Sequence, residues 1–226
     1  MKHPDFEHNE DEHTYHWQGI LQISITDVLS AQGFTDYAMI PDGDREFYLL
    51  RGRAVHKATQ LFDEGILDWS SLVEEVDWRG ERRPWTLGYV KAYDRMKVEL
   101  KVEPIVIEEP LFDQIYRFAG RPDRFSKTTV GHLVMQIKTG GVEDWVGLQT
   151  AGEERLLRAC NLIEQERIKR WGVELKPDGT YKLRYFESPV DIKIFLSALA
   201  VEKWKETWKC ERKKGEGNGS KQNPDR

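Results

Sequence analysis

The spacing of apolar residues along this chain changes several times, and each change marks a predicted element. In ILQISITDVLSAQGF an extended segment over residues 20–23 gives way to a helix that Ser24 or Thr26 caps and Gly33 ends. Between 45 and 64 the residues Phe47, Leu50, Val55, Ala58 and Leu61 recur at helical intervals, with Gly65 as the stop. A second long helix is predicted over 84–101, with Pro84 near its first turn and Val90, Tyr93, Met96 and Leu100 on one face. The period then falls to two. Strands are predicted over 105–112, over 115–120 with 124–125, and over 132–137, and the short turns between them suit antiparallel neighbours. A helix over 144–163, capped by Asp144, follows. Next, Pro177-Asp178-Gly179 in IKRWGVELKPDGTYKLRYF signals a hairpin. Last, Ser188 caps a helix with Pro189 at its first position, predicted to turn Ile192, Phe195, Leu196, Leu199 and Trp204 inward.

This order gives an α/β fold, a mixed β-sheet flanked by helices, with no internal repeat. Two arms flank it. Residues 1–14 are acidic and poor in apolar groups, which predicts a mobile arm; His3, His8, His13 and His16 are too irregularly spaced to suggest a metal tract. Residues 211–226, ERKKGEGNGSKQNPDR, read as a disordered basic tail, leaving one domain over 15–210. With 226 residues, 39% hydrophobic and 32% charged, the chain can bury a core without staples. Cys160 and Cys210 form no CxxC pattern, so neither a zinc site nor a disulfide framework is expected. No apolar run reaches the roughly 18 to 20 residues of a membrane span, and the first residues are acidic where a signal peptide is basic and then apolar. A cytoplasmic protein without membrane contact is the expectation. The net charge of −5 argues against a broad basic coat for nucleic acid, but is compatible with a local cleft that meets phosphates through a metal ion. Eight tryptophans suit core and interface packing, with stacking on bases as the other reading.

The chemistry concentrates in FAGRPDRFSKTTVGHLVMQIKTG. Asp123 follows the glycine and proline of GRPD, and the next strand ends in Gln136-Ile137-Lys138. Alternation along that strand puts Gln136 and Lys138 on one face and Ile137 on the other. If the two strands pair, Asp123, Gln136 and Lys138 converge. A carboxylate and an amide oxygen can share a hard dication, while an ammonium beside them orients a water.

This segment resembles the active-site hairpin of the PD-(D/E)XK nuclease superfamily, in particular its RecB-type exonuclease branch. GRPD matches the family's GxxD turn, QIK its acid-x-Lys strand end, LQTAGEE its glutamine helix through Gln149, and RGRAVH its glycine-x-x-x-histidine helix through His56. The resemblance runs from about Tyr15 to Trp208 and implies a restriction-endonuclease-like core. It also implies a Mg2+- or Mn2+-dependent DNA nuclease. Asp123, Gln136, the Ile137 backbone carbonyl and His56 would hold the metal, Lys138 would be catalytic, and Gln149 and Arg121 would position the substrate or Lys138. Arg51, Arg53, Arg121 and Arg124 are candidates for a local positive cleft. Compact enzymes of this branch resemble those of phage and prophage recombination modules, which implies a single-strand annealing protein as partner.

Two positions depart from the pattern: Gln136 stands where the family has its second acid, and Glu153 where it has a tyrosine. Glu108, Glu109 or Glu153 could supply the missing charge. The alternative is a catalytically impaired nuclease-fold module for DNA binding or assembly.

Overall fold

The computed structural model describes residues 4–35, 42–73, 85–163 and 167–218. Among the described residues ten strands form two five-stranded mixed sheets, which confirms the α/β class. The first sheet has the order β1 (Phe6–Asn9), β2 (Thr14–Trp17), β3 (Ile20–Ser24), β6 (Phe118–Gly120), β5 (Leu111–Asp113). The second has the order β10 (Tyr181–Tyr185), β9 (Lys169–Leu175), β8 (Gly131–Lys138), β7 (Arg124–Thr128), β4 (Glu103–Ile107). The β3–β6 and β8–β9 pairs are parallel and the rest antiparallel.

The second sheet is covered on both faces. Leu133, Met135 and Ile137 of β8 pack against Val55 of helix α2 (Asp42–Asp63) and Tyr93 and Met96 of helix α4 (Leu87–Leu100). Val134, pointing the other way, joins Leu148 and Leu156 of helix α5 (Val146–Ala159) and Phe195 of helix α6 (Asp191–Asn218). Period-two alternation thus divides the core between two helical layers. A short helix α3 (Trp69–Val73) lies between α2 and α4 in sequence.

Several local predictions hold. Ser24 caps helix α1 (Ile25–Ala31) in a reciprocal capping box with Asp27, and the Pro177-Asp178-Gly179 turn closes the β9–β10 hairpin with Gly179 at φ +81. Val190 N–H donates to Ser188 Oγ at the start of α6.

Others need correction. The predicted three-stranded meander is divided: β4 and β7 belong to one sheet, while β5 and β6 form a hairpin in the other. Short turns identified the hairpins but not their sheet. The N-cap of α5 is Trp145, with no side-chain cap, and Asp144 pairs with Arg184. Residues 6–9, expected in a mobile arm, pair with β2; Phe6 stacks on Phe112, which also stacks on Trp17. Phe6 and His8 of this strand both stack on Tyr15. α6 continues through residue 218 instead of ending before the basic tail. Pro84 and residues 219–226 lie outside the described residues. Trp204, expected inward, is 64% exposed. Among the described residues no helix is long and apolar enough to cross a membrane.

Candidate metal centre and its cleft

Asp123 sits where the chain crosses from β6 in the first sheet to β7 in the second. Its register neighbour is the end of β8, and its Oδ2 accepts a hydrogen bond of 2.7 Å from Ile137 N–H. Gly120 at the start of the turn is needed for packing: a Cβ there would meet Ile25 Cδ1 at 2.8 Å and Leu156 Cδ1 at 2.9 Å. The glycine thus lets α1 and α5 close on the strand that delivers Asp123.

His56 comes from the middle of α2, next to the buried Val55. Its Nε2 lies 3.0 Å from the Ile137 carbonyl and donates to it, so in the neutral ring Nδ1 carries the lone pair. Nδ1 faces Glu108 Oε1 at 3.2 Å and Asp123 Oδ1 at 3.5 Å. These three ligand atoms lie within 4.8 Å of one another. Glu108 follows β4 with φ +47, a left-handed conformation costly for a residue with a Cβ. That turn aims its carboxylate inward, where Arg121 Nε reaches Oε2 at 3.2 Å and Arg124 Nη1 reaches Oε1 at 3.4 Å.

On the α5 side, Gln136, Lys138, Gln149 and Glu153 form one network, as alternation along β8 requires. Lys138 Nζ donates to Gln136 Oε1 at 3.1 Å and to Gln149 Oε1 at 3.3 Å, and lies 5.2 Å from the centre of the Trp145 ring. The amides of Gln136 and Gln149 both donate to Glu153 Oε1, at 2.6 and 3.1 Å. Glu153 Oε2 is buried without a hydrogen-bond partner.

The protonation pattern follows. Burial, reinforced by the charge of Asp123, pushes the Glu153 carboxyl well above the usual carboxylate range, so it is held neutral. Burial also raises Asp123, against the pull of His56. For Glu108 burial is outweighed by His56, Arg124 and Arg121, and its carboxyl is lowered. Burial would depress His56, but Asp123 and Glu108 outweigh it and the imidazole is raised.

Three acceptors thus converge with no donor between them unless His56 carries a second proton. That donor set, one imidazole and two carboxylates, could hold a divalent cation. Sequence reasoning named His56 and Asp123 and left open which acid completes them. Glu108 lies in the cluster with them, while Glu109 does not line the cleft. Gln136 Oε1, expected on the metal, is engaged by Lys138, and the Ile137 carbonyl is engaged by His56.

The site opens into a cleft of about 1710 Å3 between α2, the β1–β2 turn and α1. Of the four cations expected there, Arg51, Arg53 and Arg121 line it and Arg124 does not. Arg124 is fully buried and paired with Asp63. Arg51 is tied to the Thr139 carbonyl at 3.0 Å, its guanidinium 4.9 Å from the Tyr48 ring centre. Arg121 bridges Glu108 and Glu10, while Arg45, Arg53 and Lys57 also line the opening. Carboxylates outnumber cations along this wall, so a phosphate would enter an acidic site. No protein-family model matches the chain, and none of the curated proteins does.

Proposed function

We propose that the protein is a Mg2+- or Mn2+-dependent nuclease with a restriction-endonuclease-like core, hydrolysing phosphodiester bonds in DNA. The observation that carries this reading is the meeting of His56, Glu108 and Asp123 beside Lys138, at the seam where β7 and β8 pair. In an acidic cleft a phosphodiester needs a cation to approach, and these groups are suited to hold one. His56, Glu108 and Asp123 would hold it, Glu108 supplying the charge absent at Gln136. A dication held there would lower the pKa of a bound water and neutralise charge growing on the phosphate.

The chain's own residues have separable tasks. Lys138, held by two amide oxygens, orients the attacking water or a phosphate oxygen. Gln149 and Gln136 fix that ammonium, and Glu153 fixes both amides. Arg121 places a phosphate once it exchanges its exposed Glu10 partner for substrate. Purified protein is expected to cleave linear DNA with Mn2+ and to stop with a chelator. Asp123→Ala and Lys138→Ala should each abolish cleavage, and activity surviving both would remove this site from consideration.

A second reading, a nuclease-fold binding or assembly module without chemistry, is favoured by the closed Gln136–Glu153–Lys138 network. Calorimetry with Mn2+ separates the two. The nuclease should bind the ion, and more tightly in Gln136→Glu if that position faces it; the module should bind none.

A further inference from the structure

Tyr15 of β2 carries a hydroxyl that no described residue engages in a hydrogen bond. Its ring is fixed by packing: it stacks on His8 of the paired strand β1 at 4.8 Å and on Phe6 at 6.2 Å, in a buried cluster with Trp17, Phe112 and Ala119. A phenylalanine would fill that place equally well. The side chain is 7% exposed and lines the cleft. The charges it feels are those of Arg121, Asp27, Glu108 and Glu153, all on the cleft wall, with Arg121 acting most strongly. The hydroxyl therefore points from β2 toward the metal cluster.

The acids around it are turned to other partners. Asp27 closes the capping box of α1 with Ser24, Glu108 meets His56, Arg121 and Arg124, and Glu153 is bound to the amides of Gln136 and Gln149. Burial pushes the phenol up to about 12, so it keeps its proton and can donate throughout the neutral range. A desolvated donor without an acceptor is unfavourable, and a ligand that brings one recovers the hydrogen bond.

Arg121 has donors to spare beside it. A guanidinium offers five N–H groups in a planar fork. Here Nε meets Glu108 Oε2 at 3.2 Å, and the other carboxylate in reach among the described residues is Glu10, at 3.5 Å and 73% exposed. A contact of that length to an exposed acid is readily exchanged. Through Glu108 the two donors adjoin the cluster of His56, Glu108 and Asp123. A neutral donor suits this wall, because a further cation would pair with the surrounding carboxylates, as Arg121 itself does.

We propose that Tyr15 Oη and the Arg121 guanidinium form a subsite that holds the phosphate next to the scissile one, a role that rests on the nuclease reading above. Both groups donate to oxygens of one phosphate, Arg121 after releasing Glu10. Neither touches a reacting atom, so the subsite binds ground state and transition state alike.

Tyr15→Phe removes the hydroxyl and keeps the stacked ring. On linear DNA with Mn2+ it should raise KM about 10-fold while kcat changes by less than about 2-fold, with Mn2+ affinity and Tm as in the native protein. Because the lost group is neutral, the slope of log KM against log salt should stay the same, whereas Arg121→Gln should flatten it by about 0.7–0.9. Native protein that cleaves DNA with a KM indifferent to Tyr15→Phe overturns the subsite and leaves the nuclease reading standing. So does a loss confined to kcat, or one that comes with a lower Tm or weaker Mn2+ binding, since Tyr15 would then act on the reacting centre or on packing. If the native protein cleaves nothing, the nuclease reading fails, and the anisotropy of a fluorescein-labelled oligonucleotide decides the subsite by itself. Binding about 10-fold weaker in Tyr15→Phe supports it, and equal binding or none overturns it.

Discussion

Glu153 shows how one buried side chain determines the state of its neighbours. Its Oε1 receives two amide hydrogens while Oε2 has no partner, so the neutral acid is the form the site accepts. A carboxyl whose folded pKa lies above its unfolded value contributes stability that is complete below the ordinary glutamate range. That contribution is lost as pH rises through the folded value. Glu153→Gln keeps the shape of the neutral acid and removes this loss. The variant should therefore gain on the native protein as pH rises from 5 to 8, by roughly 1 kcal/mol, or about 2–4 °C in Tm, at the upper end. Thermal melts of metal-free protein across that range check it; a constant difference would mean that Glu153 is ionised throughout. His56 shifts with the same sign, since its raised imidazole favours folding most at low pH and loses that advantage as it deprotonates.

At the level of elements, the sequence showed most helices and the closing hairpin because their signals are local: a capping serine, a stop glycine, a Pro-Asp-Gly turn. It showed Gln136 and Lys138 on one face because alternation is a property of any strand. It could not show that β5 and β6 leave the sheet of β4 and β7, since hairpin turns look alike whichever sheet receives them. Nor could it show why GRPD begins with glycine. The reason is the approach of Ile25 and Leu156 to Gly120 from two helices distant in sequence. Gly120→Ala should destabilise the fold by about 1–3 kcal/mol through overpacking, and it should weaken Mn2+ binding as the Asp123 turn shifts. Denaturant unfolding and calorimetry measure the two effects, and a neutral outcome in both would show that α1 and α5 yield without disturbing the turn. Trp204 was misassigned by the same limit, because helical spacing gives faces but not which face meets the core.

Across the whole molecule, Asp63 ties the layers together. Its Oδ2 accepts from Arg124 Nε and from the Tyr93 hydroxyl, each at 2.6 Å, and Lys97 pairs with Oδ1. The end of α2, α4 and β7 are thereby joined on the side of the sheet from which His56 reaches the site. Removing the carboxylate leaves the fully buried Arg124 with Glu108, at 3.4 Å, as its remaining carboxylate. Asp63→Ala should destabilise the protein by about 3–5 kcal/mol, with the midpoint of urea unfolding as the measure; a loss below about 1 kcal/mol would show that Glu108 suffices.

Local periodicity and turn chemistry were enough to place His56, Asp123, Gln136, Lys138 and Gln149 on their elements, because each depends on neighbours a few residues away. The approach of Glu108 to His56 and Asp123, the burial of Arg124 and the exposure of Trp204 depend on contacts between segments tens of residues apart. Those were decided only when the sheets and helices packed, since burial and charge pairing are properties of the assembled core.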